Sequence, residues 1–145
     1  MEKKDVEDRA EELFSSGFNC SQSVFGACAE HFGESRNTAV KTAAPFGGGI
    51  ARTGENCGAL SGLLMAYGLK YGDPKGSAEK KAELYEASGK LMETFKKEQG
   101  STKCKDLIGV DISTPEGRQA AAEKDTHNTV CVHLVRYCAR LGAEL

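Results

Sequence analysis

Six cysteines, at positions 20, 28, 57, 104, 131 and 138, are the side chains of this sequence with the most chemistry available to them. Thiolates attack disulfides and bind soft metals. An even cysteine count in a secreted chain suggests a disulfide framework, whereas in a cytosolic chain it points to metal or redox chemistry. There is no Cys-x-x-Cys, which removes the thioredoxin-like motif and the common zinc-knuckle pairs, and no Cys-x-x-Cys-His for c-type haem. Cys131 and Cys138 are seven residues apart on one predicted helix. That separation is roughly 10 Å along the axis, beyond the Cα spacing of about 7 Å that a disulfide tolerates. Cys20 and Cys28 fail in the same way, so cooperating cysteines must come from different helices. A cysteine can equally be a small buried hydrophobe, and this reading suits Cys28 and Cys138 best.

Position adds to residue type. Cys20, Cys57 and Cys104 each fall in or near the predicted first turn of a helix. Unpaired N–H groups and the helix dipole favour a thiolate there and predict lowered thiol pKa values. Arg52, just ahead of Cys57, either adds positive charge or is an ordinary surface arginine. Cys131 lies one turn after His127, so the two can point into one site, although a partly exposed or core-edge His127 is the plainer expectation. His31 and His133 carry no further signal. Gly58 and Gly62 share a face with Ala66. This stripe of small residues admits close approach of a cofactor or, equally, of another helix.

The elements that would position these residues are helical. Val6, Ala10, Leu13 and Phe14 recur at helical spacing, and Gly17 stops that helix. Asn19 can cap a second helix from Cys20, with Val24, Ala27, Cys28 and His31 on its apolar face and Gly33 closing it. A short piece from Thr38 to Ala43 ends at Pro45. Phe46-Gly47-Gly48-Gly49-Ile50-Ala51-Arg52-Thr53-Gly54 is the most irregular stretch, its glycines permitting positive φ. It lacks the Lys-Ser/Thr of a phosphate-binding loop, and no strand precedes it. A glycine-rich helix follows from Glu55 to about Tyr71. After the Gly72–Gly76 turn, Ser77 caps a long helix to about Glu98, with Ala78, Ala82, Tyr85, Met92 and Phe95 as its inner stripe. Ser101 caps a short helix carrying Cys104, Leu107 and Ile108. Thr114-Pro115-Glu116 starts another. The last runs from about Thr126 to Leu141, with His127, Cys131, Leu134, Val135 and Cys138 on one face. The expectation is an all-α, single-domain bundle of about five to seven helices over residues 1–145.

Bulk properties exclude other classes. The 145 residues suit one core. The formal net charge of −2 with mixed charges lacks the basic footprint of a nucleic-acid binder. No run approaches the ~20 apolar residues of a membrane span. The charged start, Met1-Glu2-Lys3-Lys4-Asp5, is not a signal peptide. These features predict a cytoplasmic chain. They carry no signal for its oligomeric state.

Several segments together resemble the C_GCAxxG_C_C family of "putative redox-active" proteins. They are Asn19-Cys20-Ser21-Gln22-Ser23-Val24, Phe46-Gly47-Gly48-Gly49 with Arg52-Thr53-Gly54, and Cys57-Gly58-Ala59-Leu60-Ser61-Gly62. Gly68-Leu69-Lys70-Tyr71-Gly72, Cys104 with Leu107-Ile108-Gly109-Val110-Asp111, and Cys131 continue the match over nearly the whole chain. The label writes Gly-Cys-Ala where this sequence reads Cys-Gly-Ala, and the flanks agree. The resemblance implies that Cys20, Cys57, Cys104 and Cys131 are the family cysteines, with Cys28 and Cys138 as extras. A related domain in split-Soret cytochromes carries haem and looks to carry an iron–sulfur cluster. This chain lacks the haem motif, so only the cluster transfers. Four functions follow as expectations. The first is a redox carrier whose four thiolates hold an iron–sulfur cluster, with Gly58 and Gly62 admitting it. The second is metal-free thiol exchange, with Cys57 reactive and Cys20 or Cys104 resolving. The third is a zinc-stabilised bundle. The fourth is a helical partner for an oxidoreductase or transporter, its cysteines only core residues.

Overall fold

The computed structural model describes residues 2–145. Among them are eight α-helices: α1 (Lys3–Ser15), α2 (Cys20–His31), α3 (Arg36–Ala43), α4 (Gly58–Tyr71), α5 (Ala78–Gln99), α6 (Cys104–Ile108), α7 (Pro115–Glu123) and α8 (Val132–Ala143). A 3₁₀ turn, Ala44–Phe46, follows α3, and a π-helical turn, His127–Cys131, leads into α8. The described residues contain no strand, only an isolated bridge between Asn56 and Lys103. The chain is therefore all-α, with one helix more than expected. No helix among the described residues is long and apolar enough to cross a membrane.

α2 is the central rod, and α1, α3, α4 and α8 all pack on it. Its sequence is short of charge, and every residue from Ser23 to Ala29 is buried. Its start is fixed by a reciprocal cap. Asn19 Oδ1 accepts from the Gln22 N–H at 3.0 Å, and Gln22 Oε1 accepts from the Asn19 N–H at 3.0 Å. The same two side chains reach out of the helix. Asn19 Nδ2 donates to the Ala44 carbonyl and Gln22 Nε2 to the Val40 carbonyl, while the buried Ser21 hydroxyl donates to Ala43 O at 2.7 Å. The Asn-Cys-Ser-Gln-Ser segment thus clamps α3 and its 3₁₀ turn to the end of α2 that carries Cys20.

α4 lies along α2 because its facing side is stripped of side chains. A Cβ built on Gly62 would stand 2.8 Å from the Ser21 carbonyl oxygen and 3.0 Å from Val24 Cβ. The small-residue stripe is thus a helix-packing surface at Gly62. Gly62→Leu should cost about 3 kcal/mol by forcing α2 and α4 apart. Gly89, within α5, has no atom within 4 Å of its built Cβ. Gly89→Ala should therefore stabilise by up to about 1 kcal/mol through helix propensity. Urea unfolding of both variants checks the pair of expectations.

α5 buries only the C-terminal part of the stripe its spacing suggests. Ala78 and Ala82 are exposed and Tyr85 is 67% exposed. Met92 and the fully buried Phe95 face the body as expected, joined by Leu91, with Phe95 tilted against Tyr137. Leu91, Met92 and Phe95 remove more apolar area from water than the alanines at the start of the stripe, so the core contact gathers at that end of the helix. α6 is capped by Lys103 rather than Ser101. Ser101 instead accepts from the Lys103 N–H and donates to Asp106.

Candidate functional site

Four elements bring a cysteine each to one cavity of about 370 Å³. Cys20 is the first residue of α2, Cys57 is the residue that caps α4, Cys104 opens α6, and Cys131 ends the π-helical turn. All four line the cavity. Cys28 and Cys138 do not; both have no exposed surface, and Cys28 Sγ fills the space beside Gly142, where α2 meets α8. All six cysteines are free thiols.

Backbone hydrogen bonds tie two of the four together. The Cys57 N–H donates to the Thr102 carbonyl at 2.8 Å, and the Cys104 N–H donates to the Glu55 carbonyl at 2.7 Å. The Asn56–Lys103 bridge between them therefore sets the spacing of Cys57 and Cys104. Cys20 is held close to this pair at Gly58, where a built Cβ would stand 3.2 Å from Cys20 Cβ. Gly58 lines the cavity, whereas Gly62 faces α2 one turn further along.

The segment before Cys57 is a left-handed turn. Gly48, Gly49, Ile50, Ala51 and Arg52 have φ of 64°, 66°, 69°, 52° and 65° in succession. The sequence shows the glycines, but Ile50, Ala51 and Arg52 adopt the same conformation without being glycine. Each costs ~1–2 kcal/mol there, and a β-branched Ile is the rarest of them. The turn is held by Ala51 N–H to Pro45 O at 2.8 Å and by Glu55 N–H to Gly49 O at 2.8 Å. The Thr53 hydroxyl lies 2.8 Å from the Gly49 and Ile50 carbonyls. Gly49 presses on Cys104, with a built Cβ only 2.6 Å from Cys104 Cβ. Strain of this kind collects where surrounding structure holds a functional geometry.

The π-helical turn places the fourth cysteine. Such turns insert an extra residue into a helix and are frequent at functional sites. Here the turn carries both His127 and Cys131, and both line the cavity. The His127 ring stacks on Phe14 of α1 at 3.8 Å with an interplanar angle of 10°.

The thiols are less acidic than their helix-start positions suggest. Burial raises the Cys57 pKa, against the opposing hydrogen bonds from the Leu60 and Ala59 amides. Burial also pushes Cys104 up to about 12. Desolvation of the charged form outweighs the helix dipole at both. Cys20 and Cys131 are hydrogen-bonded to each other. That bond lowers the Cys131 pKa and, together with burial, raises that of Cys20. Cys131, which has no helix-start placement, is thus the cysteine whose thiolate is favoured.

Arg52 and Arg118 line the cavity as well. Arg118, on α7, gives no signal in the sequence, because only the fold carries it back over the cysteines. Among the described residues no three His, Cys, Asp or Glu side chains stand close enough to hold one metal ion. The donor set itself fits a soft metal group. It offers four thiols from four elements, with no room for a side chain at Gly49 or Gly58 beside them.

The family described as "Putative redox-active protein (C_GCAxxG_C_C)" matches residues 18–145. An uncharacterized protein of Archaeoglobus fulgidus is 32% identical over 131 residues, covering 84% of this chain and 87% of the relative. No solved structure matches. The chain that brings these cysteines together is thus a member of the C_GCAxxG_C_C family.

Proposed function

We propose that this protein is an electron carrier whose Cys20, Cys57, Cys104 and Cys131 hold an iron–sulfur cluster. The observation that supports it is the sorting of six cysteines by the fold: four open onto one cavity, and two are sealed in the core. Four thiolates are the usual ligand set of such clusters, and a cluster at this position would supply one-electron chemistry. A cluster spreads its ligands wider than a single zinc ion with Zn–S bonds of about 2.3 Å. The residues around the thiols have definable tasks. Gly49 and Gly58 let the backbone pack directly against Cys104 and Cys20, Phe14 and Leu134 limit water, and the α4 amides of Ala59 and Leu60 stabilise negative charge on Cys57.

The hydrogen bond between Cys20 and Cys131 favours a second, metal-free reading. In it the Cys131 thiolate attacks a partner disulfide and expels one partner thiol. Cys20 then attacks the mixed disulfide, releasing the second thiol and leaving a Cys20–Cys131 disulfide. Two electrons and two protons pass from the protein to the partner. This differs from the expectation of Cys57 as nucleophile, because Cys57 lacks such a thiol partner.

Iron, zinc and acid-labile sulfide analysis of anaerobically purified protein, with its visible spectrum, tests the first reading. Bound iron and sulfide with visible absorbance are expected. Colourless protein free of iron would overturn it, and zinc without iron would replace it with a structural site.

A further inference from the structure

We propose that the cysteine cavity takes an anionic small molecule, held by Arg52 and Arg118, which both line it. This rests on the reading of the cavity as the working site and names the class of ligand it would admit. The chain has six arginines. Four of them pair with carboxylates: Arg9 with Glu12 and Glu30, Arg36 with Glu30, Arg136 with Asp8 and Glu11, and Arg140 with Glu144. Arg52 and Arg118 pair with none among the described residues, and they are the two arginines that line the cavity.

The surroundings sharpen this. No Asp or Glu lines the cavity, although the chain holds 21 acidic residues against 19 Lys and Arg. The two unpaired guanidiniums are thus the charged side chains of this lining other than the thiols, and apolar walls strengthen their pull on an anion. Arg118 Nη1 donates to the Ile112 carbonyl at 3.1 Å, which steadies the guanidinium and leaves its other donors free. Arg52 sits at the end of the left-handed turn with φ of 65°, a strained backbone that brings its side chain to the cavity. α7 buries none of its residues, so its place over the cysteines does not arise from core packing.

Guanidinium groups recognise carboxylate and phosphate through paired hydrogen bonds. Ile108, Ile112 and Leu134 make much of the remaining wall apolar. The volume lies within the range of small-molecule sites. The ligand class that fits is a small anion, carboxylate or phosphate, with an apolar body favoured over a fully polar one.

Calorimetric titration of the full-length protein as purified tests this, with inorganic phosphate, benzoate and neutral benzamide as probes. Binding of phosphate or benzoate is expected, with benzamide at least tenfold weaker than benzoate. Arg52→Gln and Arg118→Gln should each weaken the anion at least tenfold, with circular dichroism unchanged. Stronger phosphate binding would assign an inorganic or phosphorylated ligand, and stronger benzoate binding an organic carboxylate. Absence of binding by both anions, or binding untouched by either substitution, would overturn the proposal. So would loss of bound iron in the two variants without any anion binding in the parent, since the arginines would then serve the cluster. Iron and sulfide in a protein that binds no anion would leave the electron-carrier reading standing alone. Anion binding by an iron-free protein would do the reverse.

Discussion

Gly49→Ala is expected to cost about 3 kcal/mol of stability, combining ~1–2 kcal/mol for a left-handed non-glycine residue with an overpacking penalty. The new methyl group has nowhere to go. Its neighbours would be Cys104 Cβ at 2.6 Å, the Glu55 nitrogen at 2.7 Å and the Gly54 carbonyl carbon at 2.8 Å. Two of those are backbone atoms in the strip that carries the hydrogen bond from Glu55 to Gly49 and the one from Cys104 to Glu55. Relief therefore requires the left-handed turn to lift or Cys104 to leave the cavity. For a chain of this size the loss corresponds to a fall in Tm of about 10 °C. Thermal unfolding checks it. A fall of less than about 3 °C would mean that the turn is not held against Cys104 as described.

Cys57→Ser separates chemistry from folding. Serine is a better N-cap than cysteine, so α4 should start as before and stability should change by less than about 1 kcal/mol. The soft sulfur ligand is gone, and bound iron should fall by more than about tenfold, a larger effect than losing an outer-shell partner. Cys138→Ala is the contrasting variant. Cys138, on α8, has no exposed surface and belongs to the core. Its truncation should cost about 1 kcal/mol in stability and leave the iron content intact. Equal iron loss in the two variants would show that folding, not ligation, decides metal content.

Much of this arrangement is written in local residue chemistry. Asn19, Ser77 and Thr114-Pro115 start helices, and Gly100 stops one, because each satisfies backbone groups that a helix end leaves open. The same signals put Cys20, Cys57 and Cys104 at helix starts, and the family resemblance supplied Cys131. What the sequence hides depends on tertiary contact. Ile50, Ala51 and Arg52 carry no mark of left-handed backbone, which the glycines before them initiate and the clamp from Thr53 to Glu55 completes. The π-helical turn at His127–Cys131 looks like ordinary helix, since its residues have no distinctive propensity. Tyr85 resembles a core residue by spacing, yet it stands exposed while Met92 and Phe95 of the same stripe meet the core. Helix position alone overstates the acidity of Cys57 and Cys104 for a related reason. Position along a helix is local, but burial is set by the whole fold.

The central claim is that Cys20, Cys57, Cys104 and Cys131 form one redox site. It is tested most directly by a reductive and oxidative titration of the anaerobically purified protein that counts the electrons taken up and returned. Reversible uptake is predicted, one electron for a cluster or two for a thiol pair, abolished in the Cys20→Ser variant and retained in Cys138→Ala. No reversible uptake by the wild-type chain, or uptake unchanged by Cys20→Ser, would contradict it.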